Sequence, residues 1–240
     1  MVVELEELLD DLHQEAETND VRAVIIASSL NEVFCAGADL KERSQMDTES
    51  TQSFLSHIRR VFSSLTSLPI PTIACVSGYA LGGGLELALC CNFRVFSSNA
   101  VVGLPETRLA IIPGAGGTFR LQQVVGACHA LDMILTGRRV GSKEAGQMGL
   151  STRTVEVGDG HADDAESLRR STLDAGVSLA KEIASGGPLA TKAALRAAAG
   201  ACEDAENAAY SSVLRSEDRN RALESFSKRG TALELEFLGR

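Results

Sequence analysis

The stretch from residue 71 to residue 118 constrains the fold more than any other part of the chain. It contains two short apolar runs of strand length, Ile73–Val76 and Phe93–Phe96, with the glycine triplet Gly82-Gly83-Gly84 between them. Directly after the triplet comes LELALCC, a nearly all-apolar segment that is typical of a buried helix. Buried strands that alternate with helices predict an α/β fold.

The segments before this stretch continue the same alternation. Residues 3–17 place leucines on one face of an acidic amphipathic helix. Residues 21–27 form an apolar run that is typical of a buried parallel strand. Residues 49–67 again carry apolar side chains at helical spacing, and two prolines follow them.

The segments after the stretch are mainly helical. From residue 126 onward the apolar spacing is that of helices, apart from a strand-like segment at residues 152–157. An acidic, glycine-containing loop follows that segment. The sequence therefore predicts an α/β core over residues 1–157 and a helical C-terminal region over residues 158–240.

Composition excludes several classes of protein. The 240 residues include 23 Lys and Arg against 32 Asp and Glu, a net charge of −9, whereas general nucleic-acid binders usually have a basic surplus. No apolar run approaches the ~20 residues of a membrane helix, and no signal or transit peptide is visible. The six cysteines form no CxxC pair, and the four histidines form no metal-binding pattern, so buried free thiols and no metal are expected.

The glycine triplet can bring backbone close to a ligand, because glycine has no Cβ. The first N–H groups of a helix are unpaired and lie at its positive end, so they can hold an anionic oxygen. Tight packing of the turn against a neighbouring strand explains the triplet equally well. The spacing does not match the dinucleotide-binding fingerprint.

Two glutamates lie in apolar surroundings. Glu86 is in the first turn of LELALCC, and Glu106 follows Pro105 in VVGLPETRLAII. Two such carboxyl groups can have different pKa values, so that one acts as a base on water while the other delivers a proton. The alternatives are that Glu86 only complements the positive end of its helix, and that Glu106 is a solvent-facing carboxylate paired with Arg108.

The segment CAGAD at residues 35–39 is the third element. Its small residues, 36–38, allow another close approach of backbone, and the nearby Lys41 and Arg43 could reach ligand phosphates. The alternative is an ordinary strand-to-helix turn with Asp39 as the helix cap. Together, these elements predict one acyl-thioester site in which backbone amides hold an oxyanion and the two glutamates handle water and protons.

Three motifs, in this order and spacing, resemble the crotonase or enoyl-CoA hydratase/isomerase superfamily: FCAGADLKER (34–43), PTIACVSGYALGGGLELAL (71–89) and GLPETRLAIIPGAGGTFRL (103–121). The resemblance runs from the first helix to about Lys228. It implies a spiral of stacked ββα turns, followed by helices that mediate trimer formation. It also implies an acyl-CoA ligand, so that coenzyme A is part of the substrate and no separate cofactor is needed.

The resemblance further implies roles for individual residues. The catalytic pair would be Glu86 and Glu106, the oxyanion hole would be the amides of Ala38 and Gly83, and Gly114 would help to hold the catalytic water. Retention of both glutamates favours a hydratase over an isomerase. Three more residues would lie along the coenzyme A: Cys35, Ala36 and Lys41.

The chain departs from the family pattern in three places. The family begins with a strand pair before the first helix, and this pair is missing here, which would expose a sheet edge. Phe119 stands where glutamine is common. A C-terminal signature is one residue short at residues 226–229, so no coenzyme A contact is carried over to Phe226 or Lys228.

Within the superfamily, AGADLKER together with ETRLAIIPGAGGT looks most like the mitochondrial methylglutaconyl-CoA hydratase group, in which a lysine-rich helix binds RNA. The corresponding helix here, at residues 50–68, offers only His57, Arg59 and Arg60, so nucleic acid is not expected as a partner. We therefore predict an enoyl-CoA hydratase that acts on a 2-enoyl-CoA such as methylglutaconyl-CoA. The alternatives are an isomerase that uses Glu106 alone and a non-catalytic or RNA-binding homologue.

The resemblance also implies an assembly and a compartment. Short helices between residues 188 and 228 have alanine-rich faces that are more apolar than a solvent-facing layer, so a homotrimer or a hexamer is expected. The mitochondrial matrix is the expected compartment, with the cytoplasm as the alternative, and no membrane association is expected.

Overall fold

The computed structural model describes residues 1–18, 20–156, 164–229 and 237–239. Its strands are β1 (Val24–Ala27), β2 (Val33–Cys35), β3 (Thr72–Val76), β4 (Tyr79–Leu81), β5 (Phe93–Ser97), β6 (Val101–Gly103), β7 (Arg139–Gly141) and β8 (Arg153–Val155). Its helices are α1 (Val2–Thr18), α2 (Leu40–Ser44), α3 (Thr48–Thr66), α4 (Gly83–Leu89), α5 (Gly117–Thr136), α6 (Ser142–Gln147), α7 (Ala165–Ala184), α8 (Pro188–Gly200), α9 (Glu203–Val213) and α10 (Glu217–Arg229). A 3-10 turn covers Pro105–Leu109.

The strands form two four-stranded sheets. The first has the order β1-β3-β5-β8, and the second has the order β2-β4-β6-β7. In the first sheet β3 pairs in parallel with β5, and β5 with β8. In the second sheet β2, β4 and β6 are parallel, whereas β6 and β7 are antiparallel.

The order of the strands makes the fold a spiral of ββα turns. Each of the first three turns adds one strand to the first sheet, then one to the second sheet, and then a helix: β1-β2-α3, β3-β4-α4 and β5-β6-α5. Parallel neighbours within each sheet require such a crossover, since antiparallel hairpins would join them directly. The predicted α/β spiral is therefore confirmed.

The sequence of α3 explains where this helix begins and ends and which of its faces is buried. Its first turn is capped by Asp47, whose Oδ1 accepts a hydrogen bond of 2.8 Å from the backbone N–H of Ser50. Pro69 follows shortly after the last turn, where a proline ends a helix. One face of the helix is buried through side chains three or four residues apart: Ile58, Val61, Phe62 and Leu65.

The longer elements agree with the sequence predictions, and so do the three-residue strands β6 and β8, whereas the other short strands were missed. The predicted strand at residues 21–27 is confirmed as β1, but the prediction that it is buried is wrong. Its residues are half-buried, and Ala27 is exposed, because β1 is the terminal strand of its sheet. The strands β2, β4 and β7 have three residues each, too few to show alternation.

The chain divides into two compact units. The first unit contains residues 1–9, 25–67 and 72–177, and it includes most of the spiral. The second unit contains residues 10–24, 68–71 and 178–240, and it includes α8, α9 and α10. The predicted boundary at 157/158 falls among residues 157–163, which lie outside the described residues, so that boundary stays a prediction.

The cysteines agree in part with the expectation from the sequence. All six are free, and Cys75, Cys90 and Cys91 are buried, whereas Cys128 and Cys202 are exposed. Burial raises the pKa of the Cys75 thiol to about 12, so it stays protonated at neutral pH. Among the described residues, none of the helices has both the length and the apolar character to cross a membrane.

Candidate active site

A cavity of about 240 Å³ in the first unit collects most of the residues that the sequence singled out. Its wall includes the small residues 36–38 after β2, residues 82–83 at the start of α4, and the side chains of Glu86 and Glu106. Gly114, in the loop before α5, also lines it. Much of the remaining wall is apolar: Phe54, Leu55, Ile58, Leu109 and Ile111.

Glycines allow the two backbone segments of this cavity to meet. Gly37 has φ +89°, and a Cβ on it would lie 3.2 Å from the backbone nitrogen of Gly83. A Cβ on Gly84 would lie only 1.9 Å from the carbonyl oxygen of Cys35, so no larger residue fits there. The packing interpretation is confirmed for Gly84, whereas Gly83 lines the cavity, and its role in holding an anionic oxygen stays a prediction.

Glu86 is held by the loop before α5. Its Oε1 accepts hydrogen bonds from the backbone N–H of Ala115 (2.7 Å) and of Gly117 (2.8 Å). The side chain is 3% exposed, and this burial raises the pKa of Glu86 above its ordinary value. The two amides, and then the positive charges of Arg120 and Arg59, oppose that rise. Glu86 therefore does more than complement the end of its own helix.

Glu106 has far less support than Glu86. It is buried in the 3-10 turn, and among the described residues its Oε2 has no hydrogen-bond partner. Burial raises the pKa of Glu106 to about 7, and the negative charge of Glu86 adds to the rise, whereas a hydrogen bond from the backbone N–H of Glu106 itself and then the positive charge of Arg43 oppose it. The alternative of a solvent-facing pair with Arg108 is wrong, since Arg108 donates from Nε to the carbonyl oxygen of Thr136 at 2.7 Å.

The remaining predicted residues divide into two groups. Ala36 and Ala38 line the cavity together with Gly83 and Gly114. Cys35 is half-buried at the end of β2, and the side chain of Lys41 is exposed on α2; neither belongs to the cavity wall. The cap predicted for this turn is present, because Asp39 accepts from the backbone N–H of Lys41 at 2.8 Å.

Sequence reasoning missed the groups that hold Glu86. Ala115 and Gly117 act through their backbone amides, which the identity of the side chains does not indicate. The sequence shows only that the loop is rich in glycine. Arg59 and Arg120 contact the same loop through their guanidinium groups. An arginine in a helix otherwise reads as a solvent-facing residue, so only the tertiary structure identifies these two.

One cation faces the cavity near Glu106. Arg43, on α2, is half-buried and lines the wall, with its guanidinium carbon 5.9 Å from the centre of the Phe54 ring. The described residues place no carboxylate oxygen within 4.0 Å of this guanidinium. A charged side chain in a largely apolar wall can fix the orientation of a ligand.

The fold and the cavity first define a class: a ββα spiral in which two buried glutamates share a cavity with close-packed glycine turns. Within that class, the sequence profile of the family described as enoyl-CoA hydratase/isomerase matches residues 3–231. The chain therefore belongs to the enoyl-CoA hydratase/isomerase family of enzymes, and the resemblance predicted from its motifs is confirmed.

Individual relatives agree with this family. An enoyl-CoA isomerase/hydratase of Penicillium crustosum is 56% identical over 229 residues, which cover 95% of this chain and 26% of the relative. Methylglutaconyl-CoA hydratase 1, mitochondrial, of Pyricularia oryzae is 48% identical over 226 residues, which cover 90% of this chain and 65% of the relative. The chain thus spans about a quarter of the first relative and just under two thirds of the second.

The fold has solved counterparts as well. The crystal structure of an enoyl-CoA hydratase from Bacillus anthracis matches with a TM-score of 0.83 and 36% sequence identity. The match covers 98% of this chain and 89% of that one. The mixed α/β architecture described above is therefore that of a known enoyl-CoA hydratase structure.

Proposed function

We propose that this chain is an enoyl-CoA hydratase that adds water across the 2,3 double bond of a 2-enoyl-CoA thioester. The observation that carries the proposal is the unequal environment of two glutamates in one cavity. Glu86 accepts hydrogen bonds from two backbone amides and lies near two cations. Glu106 is buried, and one of its carboxyl oxygens has no hydrogen-bond partner among the described residues. Such a pair can divide the roles of base and acid.

The thioester carbonyl oxygen would accept the backbone N–H groups of Ala38 and Gly83. Residues 36–38 and 82–83 line the same cavity, and the close approach of Gly37 to Gly83 supports this pairing. Charge develops on that oxygen as water attacks, so these amides would stabilise the enolate-like transition state. One donor of this kind typically contributes ~3 kcal/mol.

The two glutamates would then handle water and protons. Ionised Glu86 would take a proton from a water molecule while the water oxygen forms a bond to Cβ of the enoyl group. Protonated Glu106 would deliver its proton to Cα as the enolate collapses. Because the pKa of Glu106 is raised to about 7, a substantial fraction of this group is protonated at neutral pH.

The other binding roles follow from the family. Gly114 would help to position the water, and three residues near β2 would lie along the coenzyme A: Cys35, Ala36 and Lys41. Coenzyme A belongs to the substrate in this scheme, so we expect activity without an added cofactor or metal. Dialysis against a chelator should leave turnover unchanged.

The test of the hydratase proposal is direct turnover. The purified protein, mixed with a short 2-enoyl-CoA, should remove the absorbance of the conjugated thioester, and the 3-hydroxyacyl-CoA should be recovered by mass spectrometry with 18 mass units added. A preparation that is folded by circular dichroism but leaves both the enoyl-CoA and its absorbance intact would refute the proposal.

Isomerisation is the second candidate function, since the relative at 56% identity is named an isomerase/hydratase. Glu106 alone could move a proton between two carbons, because a group with a pKa of about 7 both accepts and releases protons at neutral pH. Incubation with a 3-enoyl-CoA separates the two activities: an isomerase forms the conjugated 2-enoyl-CoA, whereas a strict hydratase leaves the 3-enoyl-CoA unchanged.

For the acyl group we propose a short chain that ends in a carboxylate, such as the methylglutaconyl group. Arg43 supports this substrate, because it places a cation in an otherwise apolar part of the wall beside Phe54. A hydrogen-bonded pair between a guanidinium and a carboxylate discriminates strongly against ligands that lack the charge.

The substrate proposal is tested by Arg43→Met, which keeps length and removes charge. We expect kcat/KM for methylglutaconyl-CoA to fall roughly 10²-fold, as for loss of one charged hydrogen bond, while a short uncharged 2-enoyl-CoA is affected less than threefold. Equal losses on the two substrates would contradict the proposal and leave hydration itself intact.

We further propose that the chain assembles as a trimer or as a hexamer of two trimers, in the mitochondrial matrix. Ala190, Ala194 and Ala198 recur every fourth residue on α8, are exposed, and line a groove with Tyr210 of α9. Burying such a face stabilises an assembly by ~25 cal/mol per Å². Light scattering that gave only the monomer mass of 25.3 kDa would refute the assembly.

The proposed compartment, the mitochondrial matrix, is supported by the mitochondrial relative from Pyricularia oryzae.

A further inference from the structure

The loop before α5, Pro113–Gly117, is held by two arginines from different helices. Arg59 on α3 donates from Nε to the carbonyl oxygen of Gly114 at 2.6 Å. Arg120 on α5 donates from Nη1 to the carbonyl oxygen of Ala115 at 2.8 Å. The same loop supplies the two backbone amides that Glu86 accepts.

One peptide unit joins Arg59 to Glu86. The carbonyl oxygen of Gly114 and the N–H of Ala115 belong to the same planar group, and in a trans peptide they point in opposite directions. The hydrogen bond from Arg59 therefore fixes the plane whose other edge donates to Glu86 at 2.7 Å. Hydrogen bonds that share a peptide in this way polarise and strengthen one another.

Arg120 secures the following peptide. Its side chain is 9% exposed and stacks on Phe119, with the guanidinium carbon 4.9 Å from the ring centre. Gly116 has φ +109°, and a Cβ there would lie 1.9 Å from Nη1 of Arg120, so the loop and the guanidinium fit only when residue 116 is glycine. The exposed Arg59 and the buried Arg120 therefore donate hydrogen bonds to two adjacent peptide groups of the same loop.

We propose that Arg59 is a positioning residue for Glu86, acting through the Gly114–Ala115 peptide, and that Arg120 supports it through the next peptide. The pair would fix Oε1 of Glu86 against the loop and leave its second oxygen directed to the catalytic water. This inference rests on the proposed hydratase function only where it gives Glu86 a catalytic role, because the hydrogen bonds that hold Glu86 are present without substrate.

The same contacts bear on the ionisation of Glu86. Its pKa is raised by burial, lowered by the amides of Gly117 and Ala115, and lowered further by Arg120 and then Arg59. The other titratable groups that interact with it are Glu106 and Cys90. Removal of Arg59 takes away a cation and loosens an amide, and both changes favour the protonated carboxyl group. The pKa of Glu86 is therefore expected to rise further.

The experiment uses Arg59→Met, with Arg60→Met as the matched control. Arg60 is the next residue on α3, is likewise exposed, and pairs with Glu6 at 2.9 Å instead of contacting the loop. The Glu86 carboxyl group is followed in the substrate-free protein by ¹³C NMR after glutamate labelling, with the resonance assigned by its loss in Glu86→Gln. The titration midpoint is expected to move to higher pH in Arg59→Met and to stay unchanged in Arg60→Met.

Turnover provides the second measurement. In Arg59→Met the acid limb of the pH profile of kcat/KM should move to higher pH, and kcat at pH 7 should fall on the order of 10-fold, within the range seen when a catalytic group is misplaced. KM should change less than twofold. Arg59→Lys keeps the charge and should titrate closer to wild type than Arg59→Met.

The inference is overturned if Glu86 titrates in Arg59→Met as it does in Arg60→Met. Since Arg59 is exposed, this variant should fold, and the result does not depend on the buried Arg120. Failure of the hydratase proposal would show differently: wild-type protein would not hydrate any 2-enoyl-CoA, while the NMR titration would still decide the role of Arg59.

Discussion

Glu86 and Glu106 face the same cavity, but the groups around them differ in kind. On the side of the loop before α5, Glu86 accepts hydrogen bonds from two backbone amides, and two arginines donate hydrogen bonds to carbonyl oxygens of that loop. On the side of the 3-10 turn, Glu106 has a buried oxygen with no partner among the described residues, and the cation that lowers its pKa is Arg43. Burial raises both pKa values, but only Glu86 has extensive compensation.

This difference supports the proposed direction of proton transfer. A carboxyl group stabilised by amides and cations favours its ionised form, which suits a base on water. A buried carboxyl group without such partners holds its proton to higher pH, which suits an acid toward carbon. The turn that carries Glu106 and the loop that holds Glu86 are only a few residues apart in sequence, so the contrast comes from tertiary contacts.

The largest expected effect is the loss of proton transfer to and from Cα in Glu106→Gln. Because the amide keeps the shape of the side chain but neither accepts nor releases a proton at neutral pH, we expect hydration to fall roughly 10²–10⁴-fold. Coenzyme A affinity, measured by calorimetry with a saturated acyl-CoA, should stay within threefold of wild type. Turnover within tenfold of wild type would remove Glu106 from the mechanism.

Glu86→Gln should separate two activities that Glu106→Gln removes together. Without a base for water, hydration is expected to fall roughly 10²–10³-fold. The transfer of protons between carbons by Glu106 should persist, so exchange of the Cα proton with deuterated water, followed by NMR, should continue at more than a tenth of the wild-type rate. Parallel loss of hydration and exchange would show that the two glutamates act as one unit.

The sequence predicted that the two glutamates can have different pKa values, but not which contacts make their surroundings differ. Gly83, Glu86 and Glu106 could be found because a charged residue inside an apolar run, or a glycine triplet before a helix, departs from ordinary patterns. The long helix α3 could be found because the period of its apolar residues extends over enough turns, and the strand β3 could be found because it is a continuous apolar run.

The groups that distinguish the two glutamates leave no comparable mark. The amide of Ala115 lies 29 residues from Glu86 in sequence, and any residue but proline supplies a backbone N–H. Arg59 lies 55 residues from Gly114, on a helix face that its sequence marks as solvent-exposed. The short strand β4 was also missed, because its three residues show no period. Long-range backbone contacts therefore had to come from the structure.

A smaller effect should follow from adding one methyl group beside Glu86. A Cβ on Gly117 would lie 3.0 Å from Oε1 of Glu86 and 3.0 Å from a methyl carbon of Leu104, so Gly117→Ala must displace the carboxylate that two amides hold. We expect kcat to fall about 10-fold, within the range of misplaced catalytic groups. Gly141→Ala is the control, because a Cβ there meets nothing within 4 Å. Equal kcat values for the two variants would show that Glu86 tolerates movement.

The smallest effect concerns stability and distinguishes the glutamates without any substrate. The pKa of Glu106 is raised from its ordinary value of 4.5 to about 7, so the folded state binds a proton that the unfolded state has lost between those pH values. The stability that this proton contributes is fully present below pH 4.5 and is lost as pH rises through 7. Glu106→Gln never ionises, so we expect its denaturation midpoint, relative to wild type, to be higher at pH 8 than at pH 4.5.

The exposed carboxylate Glu7 provides the control for this last comparison. Urea denaturation of Glu7→Gln should differ from wild type by the same amount at pH 4.5 and pH 8, because that side chain lies in water in both states. Glu86→Gln should show a smaller pH-dependent gain than Glu106→Gln, since the ionised form of Glu86 already has two amides and two cations to stabilise it. A gain for Glu86→Gln that equals or exceeds the gain for Glu106→Gln would reverse the assignment of acid and base, because it would place the more costly buried charge on Glu86.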